Sequence, residues 1–275
     1  MRVLSRVFRA SYLFAPSVAL ALGLALFMGG CEKSKKDPPV YKVGLNFHLI
    51  DMEADSADTR TRIDNMVNVA RTVYQKSGFD IGDVQVRGYT GADAQRLTNI
   101  DLEKDENGNG WPDDMEELLS WSANTPNLNL DIFLVRSINY QGELGILGIA
   151  GGIPGPVEKG TAFSGVLLNT FGGLSQMSSS ELELQGYTMA HEADHYLGLY
   201  HTTERDGMEF DFLDDTPRCP AWDHDNNNDG LVSPTECMEQ DAQYLMFWAA
   251  GPVVQDITSN QQAEVMRAHP MATEQ

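Results

Sequence analysis

Between positions 191 and 201 the chain reads His-Glu-Ala-Asp-His-Tyr-Leu-Gly-Leu-Tyr-His, placing three of its six histidines within eleven residues. His191 and His195 are four apart, so on a helix they lie about 40° apart on one face, one turn above the other. Two neutral imidazoles so placed can reach a single zinc ion. Glu192 lies beside the pair, where it can hold and deprotonate a metal-bound water. A helix continued past His195 would carry His201 about 9 Å along the axis and about 240° around it. Gly198 tolerates the positive φ that ends a helix sharply, so the chain can turn back and bring His201 to the same ion. Three protein ligands leave a fourth position open, the arrangement of a catalytic site. The competing readings are histidines merely packed or exposed on a helix, or a metal site without catalysis. The full spacing weighs against the first and the intact Glu192 against the second.

The rest of the 275-residue chain, 42% hydrophobic, can bury a core around such a helix. Tyr41 to Ile50 alternates as a strand does, and Ile81 to Val86, Leu130 to Val135 and Ser164 to Asn169 read as further strands. Ile63, Met66, Val67, Ala70 and Val73 fall at helical spacing within an amphipathic helix over 59–76. Ser180 and Glu183 have the spacing of a capping box, which starts the histidine-bearing helix at about 180. Gly148 to Pro154 reads equally as an edge strand or a loop. Strands and helices alternate up to about 198, an α/β layer, and turn residues dominate beyond it.

The histidine stretch resembles the long zinc signature of the metzincin clan of metallopeptidases. Within the clan the chain is most similar to the pappalysin-type family, whose Asp-x-Val-x-Asp-Thr-Pro stretch is matched by Asp211-Phe212-Leu213-Asp214-Asp215-Thr216-Pro217. Gln243 to Trp248 contains the candidate methionine turn, with Met246 as the floor residue below the metal. Asp194 stands where that family usually has glycine, and Trp248 stands where some metzincins carry a metal-binding tyrosine. Thr202 follows His201 without the cysteine-rich continuation of the archaeal-type aminopeptidases in the clan. The resemblance implies an α/β (α+β) fold, with a twisted mixed sheet and two helices above a cleft. An upper subdomain would span about 41–198 and an irregular lower one, with the methionine turn, about 199–275. It also implies that an edge strand near Leu147 to Pro154 aligns the peptide substrate, whose backbone would pair with it.

Two oxygen-rich segments fit the twelve-residue calcium loop. In the first, Asp105, Asn107, Asn109, Asp113 and Glu116 offer side-chain oxygens, Trp111 its carbonyl, and Gly110 the tight turn. In the second, Asp225, Asn227, Asp229, Ser233 and Glu236 do the same with the Leu231 carbonyl and Gly230. Solvated turns are the plainer reading of each. Their flanks do not read as paired amphipathic helices, so bound calcium, one ion or two, would be a structural clip. Cys219 and Cys237 bracket the second loop.

Arg2, Arg6 and Arg9, an apolar run to Met28 and small residues before Cys31 read as an export signal over 1–30. Its end resembles the bacterial lipoprotein signal, with Met28 in place of the usual leucine, so Cys31 would carry lipid. An ordinary cleaved signal and an uncleaved anchor are the alternatives. Residues 31–40 would then be a short tether and 41–275 the catalytic domain. With Cys31 lipidated, Cys219 and Cys237 remain as a pair for which a disulfide is the default outside the cytoplasm. No thiol is left for a cysteine latch, and 31–41 has no room for a propeptide domain. The net charge of −21 argues against nucleic acid and anionic bilayers as partners, leaving the lipid anchor as the only membrane contact. Solubility and hard-cation sites both account for the acidity.

The sequence therefore predicts a zinc-dependent endopeptidase acting on peptide or protein substrates at a bacterial cell envelope. In that reading one catalytic zinc activates water and Glu192 is the general base. The rival is a calcium-binding surface lipoprotein with an adhesive role and a non-catalytic zinc site. Asp256 is a loose candidate for favouring basic substrates, whereas Trp121, Trp222 and Trp248 read as packing residues. Cleavage preference, membrane leaflet and oligomeric state are not written in the sequence.

Overall fold

A computed structural model of the chain describes residues 40–140 and 146–274. The proposed signal, the tether up to residue 39 and Cys31 lie outside the described residues. In chain order the elements are β1 (Tyr41–Ile50), α1 (Ala57–Gln75), β2 (Phe79–Tyr89), α2 (Ala92–Arg96), β3 (Asn99–Asp101), α3 (Asp113–Ser120), β4 (Leu130–Val135) and β5 (Ser137–Asn139). They continue with β6 (Gly148–Ala150), β7 (Val166–Asn169), α4 (Ser179–Tyr196), α5 (Ala221–His224), α6 (Asn260–Ala268) and β8 (Thr273–Glu274).

The main sheet is twisted and mixed, in the order β2-β1-β4-β7-β6. Its first four strands are parallel and β6 closes it antiparallel to β7. β8 pairs antiparallel with the start of β1. Val43, Leu45, Phe47 and Leu49 of β1 belong to one core with Ile63, Met66, Ala70 and Val73 of α1 and Met189, Ala190 and Ala193 of α4. The intervening Asn46, His48 and Ile50 are buried as well, because the other sheet face is also covered. There Ile50, Phe133, Val135 and Leu167 meet Leu97, Ile100, Met115, Leu118 and Leu119.

α1 starts at Ser56, whose side chain accepts the Thr59 N–H at 3.0 Å. Gly186 sets the α1–α4 spacing: a Cβ there would stand 2.6 Å from Cβ of Val69 and 2.9 Å from the Met66 carbonyl oxygen. The expected capping box of α4 is displaced by one alternate frame. Ser178 is the N-cap and Glu181 the reciprocating residue, while Ser180 lies in the first turn with its hydroxyl on that of Ser178. Ser-Ser-Ser-Glu-Leu-Glu offers the same spacing twice, and the helix takes the earlier one.

The other expected elements form with shifted ends. The helix expected at 59–76 spans 57–75, and the strand expected at 81–86 spans 79–89. The strand expected at 164–169 begins at 166. The 148–154 alternative resolves into a three-residue edge strand followed by loop. β3 and β5 form a separate parallel pair. Beyond α4 the described chain is mostly turns, packed around Cys219, Val232, Cys237, Ala242 and Phe247.

Candidate metal centre

α4 ends at Tyr196, and Gly198 at φ +111° turns the chain back as its position required. The ring nitrogens of His191, His195 and His201 consequently converge. Nε2 of His201 lies 3.2 Å from Nε2 of His191 and 3.0 Å from Nε2 of His195. The opposite nitrogen of each ring is taken by an oxygen. Nδ1 of His191 meets the Leu245 carbonyl at 2.6 Å, Nδ1 of His195 the Leu199 carbonyl at 2.7 Å, and Nδ1 of His201 a Glu204 carboxylate oxygen at 3.0 Å.

Carbonyls and carboxylates only accept, so each Nδ1 carries the hydrogen and each Nε2 presents a lone pair. Three lone pairs facing one another at about 3 Å repel unless a cation lies among them. Zinc–nitrogen bonds of about 2.0–2.1 Å at tetrahedral angles put neighbouring nitrogens about 3.3 Å apart. The residues present fit the ion. Burial holds His195 well below the usual histidine range and His191 down at about 4, so both stay neutral and able to ligate at physiological pH. The hydrogen bond from His201 lowers the proton affinity of Glu204.

Glu192 is buried on the cleft side of α4, 7% exposed. Burial pushes its carboxyl up to about 8, and the backbone N–H of Ala150 on β6 partly offsets this. β6 comes this close because residue 148 is glycine. A Cβ there would lie 2.7 Å from Cγ of Glu192 and 3.0 Å from both Cδ2 of Leu168 and Cγ2 of Thr188. Leu147 and Gly151 bond across to Asn169 N and Gly165 O, so by antiparallel alternation Gly148 and Ala150 face the open side, where the Ala150 N–H is taken by Glu192 and the other groups stay free for a strand. A cavity of about 650 Å³ adjoins His191 and Glu192, walled by Leu147, Leu184, Tyr187, Val253 and Val254 with Glu183 at its edge.

Met246 is fully buried, and its carbonyl accepts the Thr202 N–H at 2.8 Å, directly after the third histidine. Cys219 and Cys237 are disulfide-bonded. Asp211 accepts the Thr216 hydroxyl at 2.7 Å. Asp215 braces the start of α6, taking the hydroxyl of its N-cap Ser259 at 2.7 Å and the Gln261 N–H at 2.9 Å. Asp194 is buried on the side of α4 facing Tyr74, away from the cleft, and burial raises its pKa well above the carboxylate range.

In the first oxygen-rich loop Asp105 accepts N–H groups of Gly108, Asn109 and Gly110. Asn107 reaches Asp113 and Glu116, and Asn109 also reaches Glu116. The side chains of Asp105, Asn107, Asn109, Asp113 and Glu116 are thus drawn into one closed loop, with Trp111 held by its N–H on Asn109. In the second, Asp225 accepts Asp229 and Gly230 N–H groups, Asp229 accepts that of Leu231, and Glu236 accepts those of Asn226 and Ser233. Asn227 bonds across to Asp229. The first loop runs directly into the amphipathic α3, whereas its entry is β3, so no helix pair flanks it.

One expectation needs correction. Asp256 is ion-paired with Lys76, and neither lines the cavity beside His191 and Glu192. Trp222 packs at the rim, exposed against Phe210. Sequence reasoning missed Gly148 and Glu204. The Gly-rich stretch was a signal for the first, and a carboxylate three residues beyond the last histidine was the only signal for the second.

Residues 60–202, just over half of the chain, match the profile of the reprolysin-like metallo-peptidase family M12B. No curated protein matches the chain. Among solved structures it is similar to metalloproteinase-II from Bacteroides fragilis, at 13% identity and a TM-score of 0.40, over 82% of this chain and 52% of that one. It is also similar to archaemetzincin from Methanopyrus kandleri, at 13% identity and a TM-score of 0.37, over 62% of this chain and 82% of that one. The chain thus spans about half the length of the first of these.

Proposed function

The chain belongs to the reprolysin-like metallopeptidases of family M12B, and from that premise we propose that it is a zinc endopeptidase with Glu192 as its general base. The observation that carries this reading is the convergence of three Nε2 lone pairs whose Nδ1 hydrogens are already committed. Zinc held by His191, His195 and His201 would polarise the scissile carbonyl and acidify water.

The residues around the histidines account for the remaining requirements. Glu192 takes a proton from the attacking water and passes it to the leaving amine. Gly148 and the Ala150 carbonyl pair with the substrate backbone as an added strand, which holds the scissile bond beside Glu192. The neighbouring cavity takes one substrate side chain. A cleft that grips backbone through an open sheet edge suits cutting within a chain.

The finer assignment is metzincin of the pappalysin type, with Met246 in the methionine turn. It is supported by the Met246 carbonyl on Thr202 and by the contacts of Asp211 and Asp215. We further propose that each oxygen-rich loop binds a structural calcium ion, and that the protein is exported and lipid-anchored through Cys31. The adhesive alternative is not favoured, since it gives the family match and Glu192 no role.

The test is cleavage of a mixed peptide pool by the chain and by its Glu192→Ala variant, with zinc measured on both. Internal cuts that vanish in the variant while zinc stays bound are expected. Cleavage retained by the variant, or a chain that takes up no zinc, would sink the assignment.

A further inference from the structure

The three histidines are not held alike. His191 and His195 lean on backbone carbonyls, which are neutral, whereas His201 leans on the Glu204 carboxylate. We propose that Glu204 is a positioning residue of the metal centre, which fixes the ring of His201 and tightens the hold on the metal. The inference rests on the reading that these histidines bind zinc.

The backbone that carries Glu204 is held in place. It opens a hairpin in which its N–H donates to the Glu209 carbonyl at 2.9 Å and its own carbonyl accepts the Gly207 N–H at 2.8 Å. Thr203 and Phe210 form an antiparallel bridge at the base of that hairpin. The Thr203 hydroxyl donates to Asp241 at 2.6 Å and accepts the N–H of Cys219 at 3.0 Å, which ties the base to the disulfide. On the far side the Arg205 carbonyl accepts the Val232 N–H at 3.0 Å. The backbone bearing Glu204 is therefore fixed from two directions.

The chemical consequence follows from charge. A carboxylate that accepts the Nδ1–H makes the far nitrogen a stronger donor to a cation, and it locks the ring in the tautomer that ligates. It also brings one negative charge close to a dication otherwise faced by three neutral rings. Backbone carbonyls do the first more weakly and the second not at all. His201 arrives on a loop, whereas the other two ride on a helix, so it is the ligand with most to gain from a fixed partner.

The experiment compares the full chain with Glu204→Ala, Glu204→Gln and Glu204→Asp. Zinc affinity is read by competition with a chromophoric chelator, the ligand field by absorption of the cobalt-substituted protein, and folding by melting of the metal-free protein. Glu204→Ala is expected to bind zinc about ten- to a hundredfold more weakly, the scale of losses for partners of ligating histidines. Glu204→Asp should recover most of that loss, Glu204→Gln should shift the cobalt bands, and the metal-free proteins should melt together. Wild-type affinity in Glu204→Ala would overturn the proposal, as would a loss matched by a lower metal-free melting temperature and not recovered by aspartate. A wild-type chain that binds no zinc would overturn the zinc reading itself, and this inference with it. A wild type that binds zinc and cuts peptides beside an unaffected Glu204→Ala would overturn this inference alone.

Discussion

Gly148 and Glu192 approach so closely that a single methyl on the glycine would stand 2.7 Å from the glutamate Cγ. The contact joins the open edge of the sheet to the proposed general base, so it sets where a substrate backbone lies relative to the proton acceptor. In Gly148→Ala either the edge strand retreats or Glu192 is displaced. Overpacking of this kind costs about 1–3 kcal/mol. We expect kcat/KM for peptides to fall at least about tenfold, since an interaction worth 1.4 kcal/mol in the transition state is tenfold in rate. Zinc content should be unchanged, and full activity in the variant would refute the role given to this contact.

Asp131 is 1% exposed and holds a charge inside the sheet. His48 lies 2.7 Å from its Oδ1, which also accepts the Thr125 hydroxyl at 2.6 Å and the Asn46 amide at 3.0 Å. Lys159 pairs with its other oxygen. Burial works to raise the pKa of Asp131, but His48, Lys159 and Thr125 together bring it below its ordinary value of 3.8. The folded state thus binds this proton less readily than the unfolded chain. The stability it contributes is complete above pH 3.8 and is lost as the pH falls through the lowered value. Asp131→Asn leaves Lys159 without its anionic partner and should cost about 3 kcal/mol at neutral pH. In urea melts the gap between wild type and variant should narrow below pH 3.8, and a gap that widens there would contradict the assignment.

The disulfide between Cys219 and Cys237 closes a segment of eighteen residues in sequence and is fully buried. Loop-closure entropy for that length gives about 3 kcal/mol of stabilisation. The double variant Cys219→Ser, Cys237→Ser should therefore melt lower than the oxidised protein. A reducing agent should lower the wild type by a similar amount and leave the variant unmoved.

Calcium in the two loops would stabilise the folded chain by mass action, by about 2.7 kcal/mol per site at a hundredfold excess over the dissociation constant. A calcium-selective chelator should then lower the melting temperature with zinc still bound. Asp105→Ala and Asp225→Ala should each remove part of that shift. No shift in the wild type would count against both loops.

The zinc site was legible because its chemistry is local. His191, His195, Gly198 and His201 fall in one stretch, and helix geometry with one glycine turn suffices to bring the rings together. β1, β4, α1 and α4 were legible for a related reason: each is long enough to show a period. β3 and β5, at three residues each, are too short to show one, and only the fold brings them together as a pair. The partners of the histidines were not legible. Leu245 acts through a backbone carbonyl that every residue possesses, and Glu204 is one acid among forty acidic residues. His48 and Asp131 were invisible as a pair because they sit on strands far apart in sequence. Asp256 was misjudged because a carboxylate near a cleft in sequence says nothing of Lys76, just past the end of α1.

The carbonyl that orients His191 belongs to Leu245, fifty-four residues downstream, and Leu245 is itself held by the Ile257 carbonyl. A growing chain therefore carries all three histidines long before it carries the backbone that aims the first of them. Polypeptides interrupted short of that region would hold the ligands without the alignment. On the proposed reading, any catalysis would have to wait until synthesis has passed Leu245, because only then is the first ligand aimed.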